Sequence, residues 1–303
     1  MNPPDSHLME WIRQKKDRLD ALSPLSPDLV TRLHEEIRLR HTYNSNAIEG
    51  NTLTLSETKL VLEEGITIGG KSLREHLEAT NNAQGYDLIV RLAGEKAPIN
   101  HVTIQQIHEI VTRGILEDAG RYRTRNVRIT GASKSPADWS RIVREMDTLL
   151  AALEEPDSDV VATSAYLHHR FVAIHPFTDG NGRVARLLTN LYLLRHGYPP
   201  VILDKSDRQK YYRALHDADN GDLAPFTRFL ARAVSDSLSH CIAVAGGEAA
   251  LVPLRDLAKG SPYSQEYLSL AARKGLLDAT RIDNVWHASE RALEAYIQKH
   301  GRK

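Results

Sequence analysis

The chain has 303 residues, room for one large domain with a smaller companion or for two of middle size. Its 39 Lys and Arg balance 39 Asp and Glu, so no overall positive field argues for a surface given over to nucleic acid. Hydrophobic residues make up 41%, no apolar run approaches membrane-spanning length, and the lone Cys241 excludes an internal disulfide framework or a cysteine-based zinc cluster.

The first residues, MNPPDSHLMEWIRQKKDRL, lack a basic stretch followed by an apolar one, so no signal peptide is expected and a soluble, cytoplasmic protein is. Apolar residues then recur three and four apart over 26–40, 54–64, 72–93, 136–153, 158–174, 183–196, 206–217 and 222–244, which predicts a mainly α fold. Thr54-Leu-Ser-Glu57 is a capping box, and Gly65 closes the helix that it opens. Gly197 and the following Pro199-Pro200 stop the 183–196 helix. The exception is 121–131, RYRTRNVRITG, whose β-branched residues and alternation predict a short hairpin. A linker is expected at Ala245-Gly246-Gly247. Beyond it, 251–303 carries nine Lys and Arg against six Asp and Glu. Helix (252–258), turn, helix (264–273), a turn near Asp283-Asn284 and a helix from Ser289 resemble a small winged helix-turn-helix. The expected organisation is an N-terminal helical region over 1–70, a core over 71–245 and this winged-helix-like domain over 248–303.

The chemistry concentrates at 175–186, HPFTDGNGRVAR. Proline disfavours helix in the residue before it, so the preceding helix should end at Ile174 and leave His175 at its edge. Gly180 and Gly182 permit a tight turn into a new helix whose free N–H groups face the loop, a nest suited to phosphates. A simple turn with a cap accounts for Asp179, Asn181 and the glycines, but not for Arg183 and Arg186. Both stand in the first turn of the new helix, where the dipole disfavours cations, and on one face. A bound polyanion explains that placement.

HPFTDGNGRVAR resembles the HPFx(D/E)GNGRxxR signature of the Fic family at every specified position. The likeness runs on through GYPPVIL (197–203), YYRAL (211–215) and NGDLAPFTRFL (220–230), covers roughly 40–240, and looks closest to the group with the animal endoplasmic-reticulum members. It implies a Fic-type helical bundle that transfers AMP from ATP to a protein hydroxyl, the enzyme itself included. Under that resemblance His175 is the general base, its pKa near neutrality suiting the task. Asp179 holds Mg²⁺ against the phosphates. Asn181 and the N–H groups of Gly180 and Gly182 cradle the α-phosphate, and Phe177 counts with them among the nucleotide-binding residues. Arg183 and Arg186 neutralise the outer phosphates. Tyr211 and Tyr212 either flank the adenine or are ordinary core aromatics. A variant branch phosphorylates its targets, with a lysine in the loop and an altered Gly-Asn-Gly; this sequence keeps the AMP-transfer version.

Residues 45–51, SNAIEGN, resemble the family's (S/T)xxxE(G/N) inhibitory motif. Ser45 and Glu49 lie four apart on one helical face, and Gly50-Asn51 is a natural stop. Glu49 is then an acid at a helix C-terminus, against the dipole, and an ion pair with Arg186 would satisfy both misplaced charges while denying that arginine to ATP. In the animal relative the corresponding glutamate also assists removal of AMP, a role left open for Glu49. The family places a target-holding flap at 121–131, which points to Asn126, Val127, Arg128, Ile129 and Thr130 as the docking strand; a purely structural hairpin is the alternative. Members with an N-terminal brake are often homodimers. His168-His169 lack partners at metal-ligand spacing, and His108 in IQQIHEIV reads as a helix-face histidine. The 264–267 helix start leaves a second class open, a DNA- or partner-binding regulator, although the charge excess is small.

Overall fold

Local capping sets where several helices begin. Thr54 and Ser72 accept hydrogen bonds from the N–H groups of Glu57 and Glu75, whose carboxylates bond back to the caps, closing two capping boxes. Asn100, Asp159 and Ser264 cap in the simpler one-way fashion. The computed structural model describes residues 6–128, 134–154, 159–245, 251–274, 276–282 and 285–300. Among them run α1 (Ser6–Ala21), α2 (Pro27–Ile48), α3 (Leu55–Glu63), α4 (Leu73–Gly94), α5 (His101–Thr112), α6 (Ile142–Ala152), α7 (Val160–Ile174), α8 (Asn181–Arg195), α9 (Arg208–Asp219) and α10 (Ala224–Ala245). After these come β1 (Val252–Pro253), α11 (Leu254–Leu257), α12 (Gln265–Arg273), β2 (Thr280–Ile282), β3 (Val285–Ala288) and α13 (Glu290–His300). The mainly α expectation holds. Helix α2 runs eight residues past the periodic stretch and carries the 45–48 segment with it, while α1 was not anticipated.

The chain divides into two units, one of residues up to Leu33 with those from Ala231 on, the other of His34–Leu230. In the second, α8 packs on α7, α4 and α5. Every residue of α8 from Arg183 to Leu193 is buried, which makes it the central helix. Tyr86, Ile89, Ile107, Met146 and Phe171, each 1% exposed or less, share the core with its Leu187. Gly85 lets α4 approach: a Cβ there would lie 2.9 Å from Cδ1 of Leu187 and 3.2 Å from Cγ2 of Val111. In the first unit the three strands form an antiparallel sheet in the order β1-β3-β2, with Val252 opposite Ala288 and Thr280 opposite His287. Leu254, Leu268, Leu277, Ala288 and Leu293 form its core. There the buried Lys15 reaches Oδ1 of Asp278 at 2.6 Å and Oγ of Ser235 at 2.8 Å. The expected linker glycines Gly246 and Gly247 and the turn at Asp283-Asn284 lie outside the described residues.

The hairpin expected at 121–131 is not formed among its described residues. Residues 121–128 contain no strand, and Ile129 and Thr130 lie outside the described residues. The alternation has another cause. Arg123 points inward and spends its donors on the backbone carbonyls of His175, Ala137 and Arg125, and Asn126 ties itself to Asp138 and Trp139. A central α8 makes a clear stability prediction. Leu187→Ala, at a fully buried position, should cost about 2–5 kcal/mol in urea unfolding, while Val102→Ala at a 71% exposed one should stay within about 0.5 kcal/mol.

Candidate active site

Helix α7 ends at Ile174, and His175 takes a left-handed conformation, φ 52° and ψ 60°, that a residue with a Cβ adopts only when held there. Arg123 supplies the hold. Its Nε donates to the His175 carbonyl at 2.8 Å, Nη2 to Ala137 at 2.5 Å, Nη1 to Arg125 at 2.8 Å, and its backbone N–H to Pro176 at 2.9 Å. The far half of the loop has a second clamp. The N–H of Gly120 donates to Nδ1 of His108 at 2.9 Å, so Nε2 carries the proton and donates to the Asp179 carbonyl at 3.1 Å. The His108 ring also stacks on Phe177, centroids 3.6 Å apart and planes 1° from parallel. Between the clamps, the Asn181 amide exchanges two hydrogen bonds with the backbone of Phe177, and Gly180 turns at φ 78° into α8. The loop is fixed before any ligand arrives.

His175 donates Nδ1–H to the Val172 carbonyl at 3.3 Å, which leaves the Nε2 lone pair free. Burial pushes its pKa down to about 4, so the ring is neutral near pH 7 and able to accept a proton. Arg186, 3% exposed, is met from α2: Nε donates to Oγ of Ser45 and Nη2 to its carbonyl, both at 2.8 Å. Its Nη2 also stands 2.7 Å from Oε1 of Glu49. Burial disfavours the Arg186 charge, but Glu49 together with Tyr211 and Tyr212 outweighs this and raises its pKa. That carboxylate lies over Gly182, where an added Cβ would run into Oε1, so it occupies the anion seat at the N-terminus of α8. A Cβ at 182 would push that carboxylate aside.

Four further charges close a ring beside it. Arg183 lies 3.5 Å from Oε1 of Glu78 and 3.8 Å from Oδ1 of Asp179, and Arg74 lies 3.1 Å and 2.7 Å from the same two acids. Burial pushes the Asp179 pKa up, yet Arg183, the Gly180 N–H and Arg74 outweigh it and hold the carboxylate below its usual range. Nε and Nη1 of the buried Arg183 make no hydrogen bond, donors in wait of an acceptor. Asp179 is about half exposed, and no cluster of three or more potential metal ligands occurs among the described residues. A metal here would need phosphate oxygens and water to complete its shell, which is how Mg²⁺ is commonly held.

The structure sorts the remaining expected residues. The Phe177 side chain is fully buried in the core and offers only backbone to a ligand. The Gly180 N–H is taken by Oδ1 of Asp179 at 2.6 Å, and the Asn181 side chain is spent on Phe177, so neither points at a phosphate. Tyr211 is a core aromatic whose hydroxyl meets Nε2 of the buried His168 at 2.9 Å, while Tyr212, 40% exposed, packs under Arg208. Asn126 braces its own segment, and Val127 and Arg128 follow it without regular structure. Sequence reasoning missed Arg123, His108, Glu78 and Arg74. The GRYR turn before 123 and the histidine on the α5 face were the available signals. His168 and His169 bond Thr189, Tyr211 and Asp219 rather than sharing a ligand.

The buried histidines predict acid sensitivity. Burial depresses His108 and His175 to about 4 from an ordinary 6.5, so between those values the unfolded chain binds more protons than the folded one. This contribution to stability is fully present above about pH 6.5 and is lost as pH falls towards 4. Proton NMR of the two rings should show no titration from pH 8 to 6, and the urea midpoint should drop steadily below 6.5. Ring titrations centred near 6.5 would contradict the assignment.

Comparison with known proteins agrees with this geometry. The Fic/DOC family profile matches residues 98–193. The protein adenylyltransferase Fic of Nematostella vectensis is 35% identical over 244 residues, covering 79% of this chain and 56% of that one. Its Drosophila melanogaster counterpart is 35% identical over 247 residues, covering 77% and 48%. The chain thus spans about half the length of the curated relatives it matches. Among solved structures, C. elegans Fic-1 (residues 134–508) superposes with a TM-score of 0.67 at 34% identity, covering 78% of this chain and 72% of that one. A Fic-domain signalling protein of Bacteroides thetaiotaomicron superposes with a TM-score of 0.74 at 32% identity, over 79% of this chain and 99% of that one. None of these names supports the DNA-binding regulator reading of the C-terminal segment. With a relative of that identity matched over nearly its whole length, the chain belongs to the Fic family.

Proposed function

We propose that the chain is a protein adenylyltransferase held off by its own α2. The observation that carries this is the Glu49 carboxylate, seated over Gly182 and paired with Arg186 where a nucleotide phosphate would bind. In the released state Arg183 and Arg186 bind the outer phosphates of ATP, with the Arg183 donors that make no hydrogen bond ready for them. Asp179 would hold Mg²⁺ with the phosphate oxygens; bound there, the ion neutralises charge on the triphosphate. His175 takes the proton from a target hydroxyl at Nε2 as that oxygen bonds to the α-phosphorus. The bond from the α-phosphorus to the bridging oxygen breaks and pyrophosphate leaves. His175 needs no prior deprotonation, since burial already keeps it neutral.

The adenylyltransferase names of the curated relatives support the reaction type, and the acceptor we assign is a protein hydroxyl, the chain's own included. Tyr212, rather than the buried Tyr211, is the aromatic that would reach the adenine. Residues from Asn126 to Thr130 would guide the target segment. No helix among the described residues is long and apolar enough to cross a membrane. A cytoplasmic homodimer is the form we assign, with ATP drawn from the cytosolic pool.

Intact-mass analysis after incubation with Mg²⁺ and ATP tests the reading. Glu49→Gly should gain one AMP or more where the unaltered chain gains little, and Glu49→Gly with His175→Ala should gain none. A gain of phosphate mass would point to kinase chemistry, and equal labelling with and without Glu49 would remove the brake.

A further inference from the structure

The ion pair between Arg74 and Asp179 is not part of the signature loop or of the 45–51 segment. Arg74 stands in the first turn of α4, where the helix dipole disfavours a cation, and its side chain is half exposed. Nothing in the packing of α4 asks for it. Its reach explains its place: Nη2 takes Oδ2 of Asp179 at 2.7 Å while Nε keeps hold of Oε1 of Glu78 at 3.1 Å. The other oxygen of Asp179 already accepts the Gly180 N–H and faces Arg183. The outer oxygen of the carboxylate is therefore covered by a positive charge.

We propose that Arg74 is the stand-in for the divalent cation at Asp179. Its guanidinium keeps the carboxylate aimed until a metal–nucleotide complex binds, and then gives it up. A guanidinium and a divalent ion repel one another at a single oxygen, so metal loading requires Arg74 to leave Oδ2. The Nε bond to Glu78 keeps the released arm tethered to α4, and Glu78 also accepts from Asn51 beside the end of α2. This rests on Asp179 being the metal-holding residue of the proposed reaction. It adds a second intramolecular counter-charge to the site. Glu49 covers the phosphate-binding arginine, and Arg74 covers the metal-binding acid.

The test is Mn²⁺ binding, read by electron paramagnetic resonance at low ionic strength. It uses the full chain carrying Glu49→Gly with saturating α,β-methylene ATP, which cannot transfer AMP. Arg74→Gln should tighten Mn²⁺ roughly two- to five-fold, the scale of a half-exposed ion pair, and Arg74→Lys should restore the weaker binding. Asp179→Asn should weaken Mn²⁺ and erase the difference between arginine and glutamine at 74. If Asp179→Asn weakens Mn²⁺ but Arg74→Gln leaves it unchanged, the stand-in role is overturned while the site reading survives. If Arg74→Gln weakens Mn²⁺, Arg74 is a phosphate ligand instead, and the role is again overturned. If Asp179→Asn changes nothing, the assignment of Asp179 falls and the inference with it.

Discussion

The contact on which the site turns is the salt bridge between Arg186 and Glu49. A guanidinium buried this deeply pays a desolvation cost that only an anion or a full set of acceptors can offset. Ser45 supplies two acceptors and Glu49 the charge, all from the last turn of α2 and the residue after it. Glu49 keeps about a third of its side chain exposed, so the pair is only partly dry and can be exchanged for another anion. The seat is meanwhile suited to anions, with a helix N-terminus, a glycine beside the carboxylate and a second arginine with donors that make no hydrogen bond. Under the proposed function, a site suited to a triphosphate is filled in the resting state by a carboxylate of the same chain.

The loop around this seat is held by residues outside it as well as by its own Asn181. Arg123 holds the front half through the carbonyls of His175 and Ala137 and its own N–H to Pro176, and His108 holds the back half through Asp179 and the face of Phe177. The strained left-handed His175 is an outcome of that clamping, and it sets Nε2 free while Nδ1 is occupied. If His175 is the base, as proposed, it need not be organised by substrate, which places the cost of order in folding rather than in catalysis.

Much of this was readable in advance. The HPFTDGNGRVAR run identified the helix–loop–helix, the end of α7 at Ile174 and the two arginines against the dipole. The 45–51 segment supplied an acid with the opposite problem. Those readings rest on local rules, and local rules are visible in sequence. The failures are equally physical. Arg123 and His108 act through carbonyls and a ring face far along the chain, and neither contact leaves a spacing pattern. In 121–128 the alternation that suggested a hairpin comes from one inward arginine and one bracing asparagine. Phe177 and Asn181 belong to the same motif as His175 but turn inward, since a signature records what the loop needs to stand as well as what it binds. Tyr211 and Tyr212 are adjacent, so no periodicity could say which of them is core.

The central claim is that Glu49 and nucleotide compete for one guanidinium. A double-mutant cycle on ATP affinity, measured by calorimetry for the unaltered chain, Glu49→Gly, Arg186→Ala and the double variant, tests it most directly. The account predicts that Glu49→Gly tightens ATP binding when Arg186 is present and has no effect when Arg186 is alanine. Equal tightening in both backgrounds would show that Glu49 acts elsewhere and would contradict it.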